Sequence, residues 1–396
     1  MARNVPFGTP KNQEMGVIEK LKRFVVSVAG AAVLGGVLLH AQAPKTPAKP
    51  QPDVLIFTDG EKLIGRLKSA TNKSVVFNSD MAGDVTVEWS KVQELQTARP
   101  FAVIAKNTKL GKHTDVSHIP QGKITVADQK INVQPAAAAP RTLPVADTGY
   151  VVDQPEFDKA IHHQAGLFED WGGSVTAGVS LVEATQNSET FTGGIGLVRT
   201  EPTESWLNPS NRTIIDFSTA YGKVTQTGLA TIKTDIYHAD AEEDKYFSPS
   251  LFGYAQTAFD HNYSQGLDLQ QMYGGGIGWT VYKTGAAELD LKGAMSYIHQ
   301  GFESAASNES LVGSTFTESF TRKFQHSILL TEQLTATPAW NDTSAYFGSA
   351  SVTLALPVHK RLGVAIGSVD TFLNDPPPGF KKNSFQLTVG LTYALK

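Results

Sequence analysis

The sequence predicts an all-β fold: an antiparallel transmembrane β-barrel of about 12 strands, preceded by a small β-barrel-like periplasmic domain. Three observations predict it. Residues 384–395 alternate apolar with small polar residues, as a strand does when one face meets lipid and the other meets water. Residues 1–43 have the parts of an export signal. No other long apolar stretch is present, so a mature chain that crosses a membrane must cross it with strands.

The composition of the 396 residues allows this fold and argues against several others. Hydrophobic residues make up 41%, which suits a barrel because every second position of a barrel strand is polar. No cysteine is present, which excludes disulfides and thiolate metal sites. The formal net charge of −4 and the lack of a Lys/Arg run indicate that nucleic acid is not a partner.

The amino-terminal segment, residues 1–43, is predicted to be a signal peptide. A basic region, an apolar run and an Ala-x-Ala cleavage site follow one another in its second half, so we expect cleavage after Ala43. Met15 lies at the usual distance before such a run, and residues 1–14 are therefore interpreted as an upstream-start artefact. The Pro-rich residues 44–52 form an extended spacer.

Residues 53–134 are predicted to form the small periplasmic β domain. The strand candidates are residues 54–57, 63–67, 74–77, 85–89, 101–105 and 123–133, the last folding back at 127–129. Asp59-Gly60 is a strong hairpin signal between the first two. So many short strands suggest an SH3-like or Sm-like barrel. Such folds usually bind peptides or other chains, so we expect a periplasmic protein partner for this domain.

Residues 135–170 are predicted to be a linker with a short helix. Pro135, Pro140 and Pro144 with a run of alanines indicate the linker. Asp153 then offers an N-cap ahead of a proline in the first turn, which predicts a helix to about His163. This helix is expected at the mouth of the domain that follows.

Residues 171–396 are predicted to form the outer-membrane barrel. The twelve strand candidates are residues 173–185, 189–199, 212–225, 230–240, 250–261, 268–283, 286–298, 316–326, 329–339, 344–357, 361–374 and 383–395. An even count suits a bacterial barrel with both ends in the periplasm. Ten or fourteen strands remain alternatives, because the eighth and ninth candidates are the least regular.

The alternation assigns side chains to a lumen face and a lipid face. In the seventh strand three charged residues alternate with apolar ones, which fits a water-filled lumen better than a dry core. The lumen-lining candidates are Asp216, Glu288, Asp290 and Lys292. The lipid-facing candidates are Leu289, Leu291, Leu387, Val389 and Leu391. In the sixth strand the lumen positions are Gly274, Gly276 and Gly278, which would let the sheet bend or make room for a plug.

Several segments resemble a known family. The segments are residues 374–383 (NDPPPGFKKN), 171–178 (WGGSVTAG), 258–279, and 59–65 with 89–92. They resemble the salt-stress-induced outer-membrane proteins, a bacterial β-barrel family of mostly unassigned function in which some members carry a small domain before the barrel. The resemblance implies an outer-membrane location and insertion by the barrel-assembly machinery. It supplies no catalytic residues.

No residue pattern for catalysis, a cofactor or a metal ion stands out. His162-His163 is interpreted as a surface pair, because neighbouring side chains on a helix point in different directions. The acidic stretch from His238 to Asp244 is interpreted as a solvated hairpin end, with cation binding as the alternative. The Gly274–Gly276 run lies inside a strand and lacks the Lys-Ser/Thr of a phosphate loop.

Three functions remain after this. The first is a narrow channel for ions or small solutes, which the lumen charges favour. The second is an envelope structural or interaction protein, in which side chains or residues 150–170 fill the lumen and the small domain binds a partner. The third is a lipid-modifying enzyme that uses His261, His299 or His326 with nearby serines on the outer wall. The channel is preferred, and no enzyme activity is predicted; outer-membrane lipid is a partner in each case.

Overall fold

The computed structural model describes residues 51–111, 114–163, 166–183, 187–225 and 231–395. The predicted signal peptide and nearly all of the Pro-rich spacer therefore lie outside the described residues. Within the described residues, no helix is long and apolar enough to cross a membrane.

The small domain contains nine strands and one helix. They are β1 (Asp53–Phe57), β2 (Lys62–Thr71), β3 (Ser74–Ser79), β4 (Gly83–Glu88), β5 (Val92–Ala105), β6 (Gln121–Ala127), β7 (Lys130–Gln134), β8 (Arg141–Pro144), β9 (Thr148–Asp153) and α1 (Gln154–His162). The strands pair in the order β4-β3-β2-β1-β5-β6-β7-β8, all antiparallel. Because β9 pairs with both β2 and β5, the strands β1, β2, β9 and β5 close into a ring of four.

The core of the small domain is formed by this ring together with β3, β4, β6 and β7. Its largest side chains are fully buried and lie on the strand faces that point into the core. They include Leu55, Leu67, Phe77, Leu95 and Phe101. Burial of such side chains stabilises a fold by about 1.5–3 kcal/mol each. The predicted strands of residues 53–134 are all present. Strand β5 is longer than expected, and it pairs with β1 and β6 in its first part and with β6 and β9 in its second part.

The prediction of a linker over 135–149 is wrong. Residues 141–153 form β8 and β9, and Val145 and Val151 belong to the same buried core. Prolines favour a linker because they interrupt regular structure. Pro144, however, lies at the last position of β8, a short strand that pairs only with β7, and proline is tolerated at such an edge. The small domain therefore ends at α1 and not at residue 134.

Helix α1 lies where the sequence placed it, against the barrel. Pro155 occupies its first turn, as predicted, and Phe157 and Ile161 point into a second buried cluster. This cluster also contains Leu207 and Trp206 from the turn between the second and third barrel strands. The rings of Phe157 and Trp206 are stacked, with centroids 5.3 Å apart. The helix thus joins the small domain to one mouth of the barrel.

The second part of the chain is a closed barrel of twelve antiparallel strands in sequential order, which confirms the predicted fold class. The strands are β10 (Trp171–Glu183), β11 (Asn187–Glu201), β12 (Asn211–Thr225), β13 (Ile232–Tyr246), β14 (Leu251–Asn262), β15 (Leu267–Lys283), β16 (Ala287–Phe302), β17 (Glu309–Lys323), β18 (Leu329–Pro338), β19 (Tyr346–His359), β20 (Leu362–Leu373) and β21 (Asn383–Ala394). We call the end at which β10 begins and β21 ends the near end. The opposite end is the far end.

The outer face of the barrel is apolar. Leu291, Leu387, Val389 and Leu391 point outward and are exposed, and Leu289 points the same way but is half-buried. Aromatic side chains lie outward towards both ends of the wall; examples are Trp279 and Tyr282 near one end and Tyr273 and Tyr297 near the other. A single chain that exposes so continuous an apolar belt needs an apolar surrounding to cover it.

Candidate functional site

The barrel interior is the candidate site, and its two halves differ. The lumen face of β12–β17 carries large, charged and aromatic side chains, which we call the charged wall. The lumen face of β10, β11 and β19–β21 carries mainly small polar or small residues, which we call the small-residue wall. Its members include Ser174, Thr176, Gly178, Thr192, Gly194, Gly196, Ser351, Thr353, Gly367, Thr388 and Gly390.

Arg212 is the centre of the first ion-pair group on the charged wall. Its guanidinium lies 2.6 Å from a carboxylate oxygen of Asp244 and 2.7 Å from one of Asp290. A third contact of 3.1 Å reaches Glu288. Arg212 itself lies on β12, and its partners come from β13 and β16, so the contacts join strands that are not all neighbours in the barrel. Planar guanidinium groups suit such multiple carboxylate contacts.

Lys292 forms the second group with Glu242. Its ammonium lies 2.8 Å and 2.6 Å from the two carboxylate oxygens, and each side chain is only 6% exposed. The ammonium also lies 5.6 Å from the ring centre of Tyr254. A buried charge in this position is tolerated because its partner contacts it with both oxygens.

A third group surrounds His238. Its two ring nitrogens lie 2.6 Å from Asp260 and 2.9 Å from Asp240. Asp240 is the register partner of Asp216, so their carboxylates point to the same side of neighbouring strands. Across the three groups the carboxylates outnumber the basic side chains, and the lumen is acidic.

The sequence-predicted lumen residues all point inward, but three of the four are ion-paired. Asp290 is buried beside Arg212, and Lys292 is buried beside Glu242. Glu288 is half-buried and contacts Arg212 as well, whereas Asp216 keeps part of its surface exposed. Neutralising Asp290 would thus break an ion pair, which the sequence alone did not indicate.

The interpretation of the stretch from His238 to Asp244 as a hairpin end is wrong. Strand β13 continues to Tyr246, and the alternate positions Asp240, Glu242 and Asp244 face the lumen. A run of acidic residues favours a solvated turn, because burying an unpaired carboxylate in a barrel wall is energetically costly. In this barrel Arg212 pairs with Asp244 and Lys292 pairs with Glu242. The period-two spacing of the acids was the signal that could have revealed this.

No metal site is formed by these residues. Within the described part of the chain, no group of three or more His, Asp or Glu side chains is arranged to hold a metal ion. Of the predicted surface pair, His162 donates a hydrogen bond from Nδ1 to the carbonyl oxygen of Asp158, 2.8 Å away within α1.

Glycines on β15 make room for aromatic rings in the lumen. A Cβ atom on Gly278 would lie 2.2 Å from the ring of Phe252, which is fully buried. Tyr246 and Tyr254 flank that ring at centroid distances of 5.0 and 6.4 Å. The predicted room for a plug is therefore filled by side chains of the barrel itself, next to the ion-pair groups.

The remainder of the lumen is not filled by side chains. The inward-pointing Ser218 and Gln333 are exposed, and the side chain of His238 is 41% exposed. On the small-residue wall Thr176 and Thr388 keep part of their surface exposed as well. Because these side chains point away from the outer face, their exposed surface must border an internal space.

The far mouth is covered by the connection between β20 and β21. We call residues 374–382 the lid. The Gln265 side chain donates hydrogen bonds to the carbonyl oxygens of Thr371 (3.2 Å) and Lys382 (2.9 Å), and the Lys381 amide donates to Ser264 (3.2 Å). The β14–β15 turn and the β20–β21 connection are six strands apart in a ring of twelve, so the lid crosses the mouth.

An apolar layer lies directly beneath the lid. Leu267, Phe302 and Leu373 are buried together, with Phe347 packed against them. Phe380 of the lid rests on Gly266; this residue has a φ of 67°, and a Cβ atom there would lie 2.7 Å from the ring. Only glycine meets both the left-handed backbone and the close ring.

A cleft of about 370 Å³ lies in the small domain. Its lining includes Lys73, Lys106, Tyr150 and Trp206, so the barrel turn contributes one wall. Among the described residues neither lysine has an ion-pair partner within 4.0 Å.

Two solved structures are similar to the chain. One is an outer membrane channel from Pseudomonas putida F1, at 12% identity and a TM-score of 0.33, covering 59% of this chain and 100% of that one. The other is the β domain of the Bordetella autotransporter Brka, at 10% identity and a TM-score of 0.26, covering 57% of this chain and 98% of that one. At these scores the likeness supports no inference about function.

Comparison with protein families gives a firmer result. No curated protein matches the chain significantly. The family described as "Protein of unknown function, DUF481" matches residues 175–395, which is more than half of the chain and nearly all of the barrel. The protein therefore belongs to the DUF481 family.

Proposed function

We propose that the protein is an outer-membrane barrel that forms a narrow, gated conduit for cations and small polar solutes. The observation that carries the proposal is the internal space between the small-residue wall and the charged wall, bordered by Ser218, His238 and Gln333. A structural barrel would gain stability by filling such a space with side chains, as this barrel does around Phe252.

The outer-membrane location rests on three supports. The outer face is a continuous apolar belt with aromatic residues towards both ends, the wall is a closed barrel of antiparallel strands, and residues 1–43 are predicted to be an export signal. In this arrangement the small domain lies in the periplasm and the lid faces outward. Insertion by the barrel-assembly machinery and kinship with the salt-stress-induced family remain predictions.

The preference for cations follows from the charges that border the open space. Asp216 and Asp240 face each other across neighbouring strands. Asp240 contacts His238, and neither carboxylate contacts Arg212 or Lys292. A cleft lined by one sign of charge concentrates the opposite ions. The lid and its apolar layer would gate this path at the far mouth.

Asp216 offers a direct test of this proposal. Asp216→Asn keeps the size of the side chain and removes a lumen charge, so the reversal potential of refolded protein in a KCl gradient should shift towards that of an unselective pore. Asp84→Asn, an exposed position in the small domain, is the control and should leave the potential unchanged. Equal reversal potentials for the wild type and Asp216→Asn would refute the cation path.

The second candidate function is an envelope interaction protein with a permanently closed lumen. The lid favours it, and so does the cleft that contains Lys73, Lys106 and Trp206 beside the barrel mouth. A periplasmic partner with an acidic segment would fit the lysines. Lack of current both in the wild type and in a variant with a released lid would favour this function over the conduit.

A lipid-modifying enzyme is not proposed. His299 lies 3.0 Å from the Ser310 hydroxyl on the outer face, which is the nearest approach to the predicted arrangement. Among the described residues no hydrogen bond orients the other ring nitrogen of His299, and a nucleophile needs a base that is itself held in place.

A further inference from the structure

The barrel closes along a short seam between its first and last strands. β10 and β21 pair only from Ser174 with Ala394 to Ala177 with Leu391, which is four residue pairs. The neighbouring hairpin of β11 and β12 has fifteen. Both seam strands continue well beyond Ala177 and Leu391 towards the far end, so the upper part of the seam lacks a ladder.

The register shows where the two strands part. Val175 is paired with Tyr393 inside the ladder. Val179 and Val389 would be partners if the same register continued, but the ladder ends before them. All four side chains lie on the outward-facing positions of their strands.

The lower edge of the gap is formed by two glycines. A Cβ atom on Gly390 would lie 2.7 Å from the carbonyl oxygen of Ala177, and one on Gly178 would lie 2.9 Å from that of Val389. The strands therefore still touch at this level without a register. Above it, the lumen side of β21 presents Thr388 and Gln386, which are polar and partly exposed.

The end of β21 beside the unpaired seam is also tied to the lid contacts. The carbonyl of Lys382, just before β21, accepts a hydrogen bond from Gln265, and the hydroxyl of Ser384 accepts one from Ser264. On its other side this end of β21 is paired with β20 up to Asn383. The contacts that close the mouth therefore restrain the same end of β21 that is not paired with β10.

An open strand edge inside a membrane needs polar partners. Backbone N–H and C=O groups without hydrogen bonds cost several kcal/mol each in hydrocarbon, which is why membrane barrels normally close completely. Here the edges of β10 and β21 border a polar, solvent-bearing lumen on one side and the apolar belt on the other. An occupant that suits both sides has a polar head and an apolar chain.

We propose that the upper seam is a lateral opening through which a single-chain amphiphile of the bilayer passes its polar head into the lumen while its apolar chain remains in the membrane. The inference rests on the proposed outer-membrane location and the polar lumen. It adds a second way into the lumen, from the bilayer through the wall. The small-residue wall beside the seam leaves space for the head, and the unpaired backbone groups supply its hydrogen bonds.

The seam can be probed by engineered cysteines, since the chain contains none of its own. Val175→Cys with Tyr393→Cys should form a disulfide readily in the folded protein in vesicles, whereas Val179→Cys with Val389→Cys should form it poorly. Adding Gln265→Ala should raise the second yield, because the released β21 can return to β10. Equal yields for the two cysteine pairs in the protein that keeps Gln265 would overturn the opening.

Entry of an apolar chain is tested with a lipid probe. A fluorophore on Thr388→Cys, at the lumen side of the seam, should be quenched by vesicle lipid that carries a nitroxide on a single acyl chain. The same label on Thr353→Cys, a lumen position on the fully paired β19, should not be quenched. Equal quenching at both positions would overturn the lateral route. Cross-linking and quenching do not depend on ion current. If the conduit proposal fails, conductance will be absent while the cross-linking and quenching results stay as expected.

Discussion

Breaking the ion pair of Lys292 and Glu242 from one side should be among the most destabilising single substitutions in the barrel. Lys292→Met replaces the ammonium by an apolar group of similar length and leaves the Glu242 carboxylate buried without its partner. Both side chains are 6% exposed and are joined by contacts of 2.6 and 2.8 Å. Breaking one side of a buried pair costs about 3–5 kcal/mol. Asp244, fully buried on the same face of β13, adds like-charge repulsion to this cost.

The assay is equilibrium unfolding of refolded protein in lipid vesicles, followed by tryptophan fluorescence. Lys283→Met is the matched control: Lys283 also contacts a carboxylate, that of Glu288 at 2.8 Å, but is 53% exposed. An exposed pair contributes about 0–1 kcal/mol, so this control should unfold near the wild type.

The double variant Lys292→Met with Glu242→Leu completes the test. Removing both charges removes the unpaired carboxylate, so the double variant should recover most of the stability that Lys292→Met loses. A loss below about 1 kcal/mol for Lys292→Met would show that Glu242 is solvated and that this part of the lumen is not closed. A double variant as unstable as the single one would show that packing, not charge pairing, holds the region.

Three further predictions concern other parts of the chain. Leu291→Arg should cost about 2–4 kcal/mol if the residue lies near the bilayer midplane, so it should be no more harmful than Lys292→Met in the same unfolding assay. A fragment of residues 53–162 should unfold cooperatively by circular dichroism, whereas one of residues 53–134 should not, because it lacks the strand that closes the four-stranded ring. Gly278→Val should destabilise the barrel by about 1–3 kcal/mol, since its Cβ would overlap the ring of Phe252; an unfolding midpoint equal to that of Gly285→Ala, a position with open space, would contradict this.

Most of the barrel could be predicted because it depends on local patterns. The period-two alternation places Leu291 outward and Lys292 inward with no knowledge of other strands. Turn residues then separate the strands, and twelve were found where twelve were predicted. The short helix was also predictable, because Asp153 and Pro155 are local start signals.

The contacts that define the site could not be predicted in this way. Arg212 lies far along the chain from Glu288 and Asp290, and only barrel closure brings them together. The residues around Glu242 give no local signal of its partner Lys292, fifty residues further along the chain. The local charge pattern therefore predicts a hairpin end. Gln265 is an ordinary turn residue until the lid crosses the mouth.

The small domain shows the opposite error. Pro135, Pro140 and Pro144 are real breaks in local structure, yet β9 after them supplies the strand that pairs with both β2 and β5. Pairing between distant strands is decided by the whole sheet, and its signal in any one segment is weak.

The central claim, a conduit gated by the lid, is tested most directly by locking the lid. Ser264→Cys with Lys381→Cys places a disulfide where a backbone hydrogen bond of 3.2 Å joins the two sides of the mouth, in a chain without other cysteines. In planar bilayers the oxidised protein should pass no current, and reduction should restore cation-selective openings like those of the wild type. Identical currents before and after reduction would contradict the gate. Absence of current in the wild type, in the reduced protein and in Gln265→Ala would contradict the conduit itself.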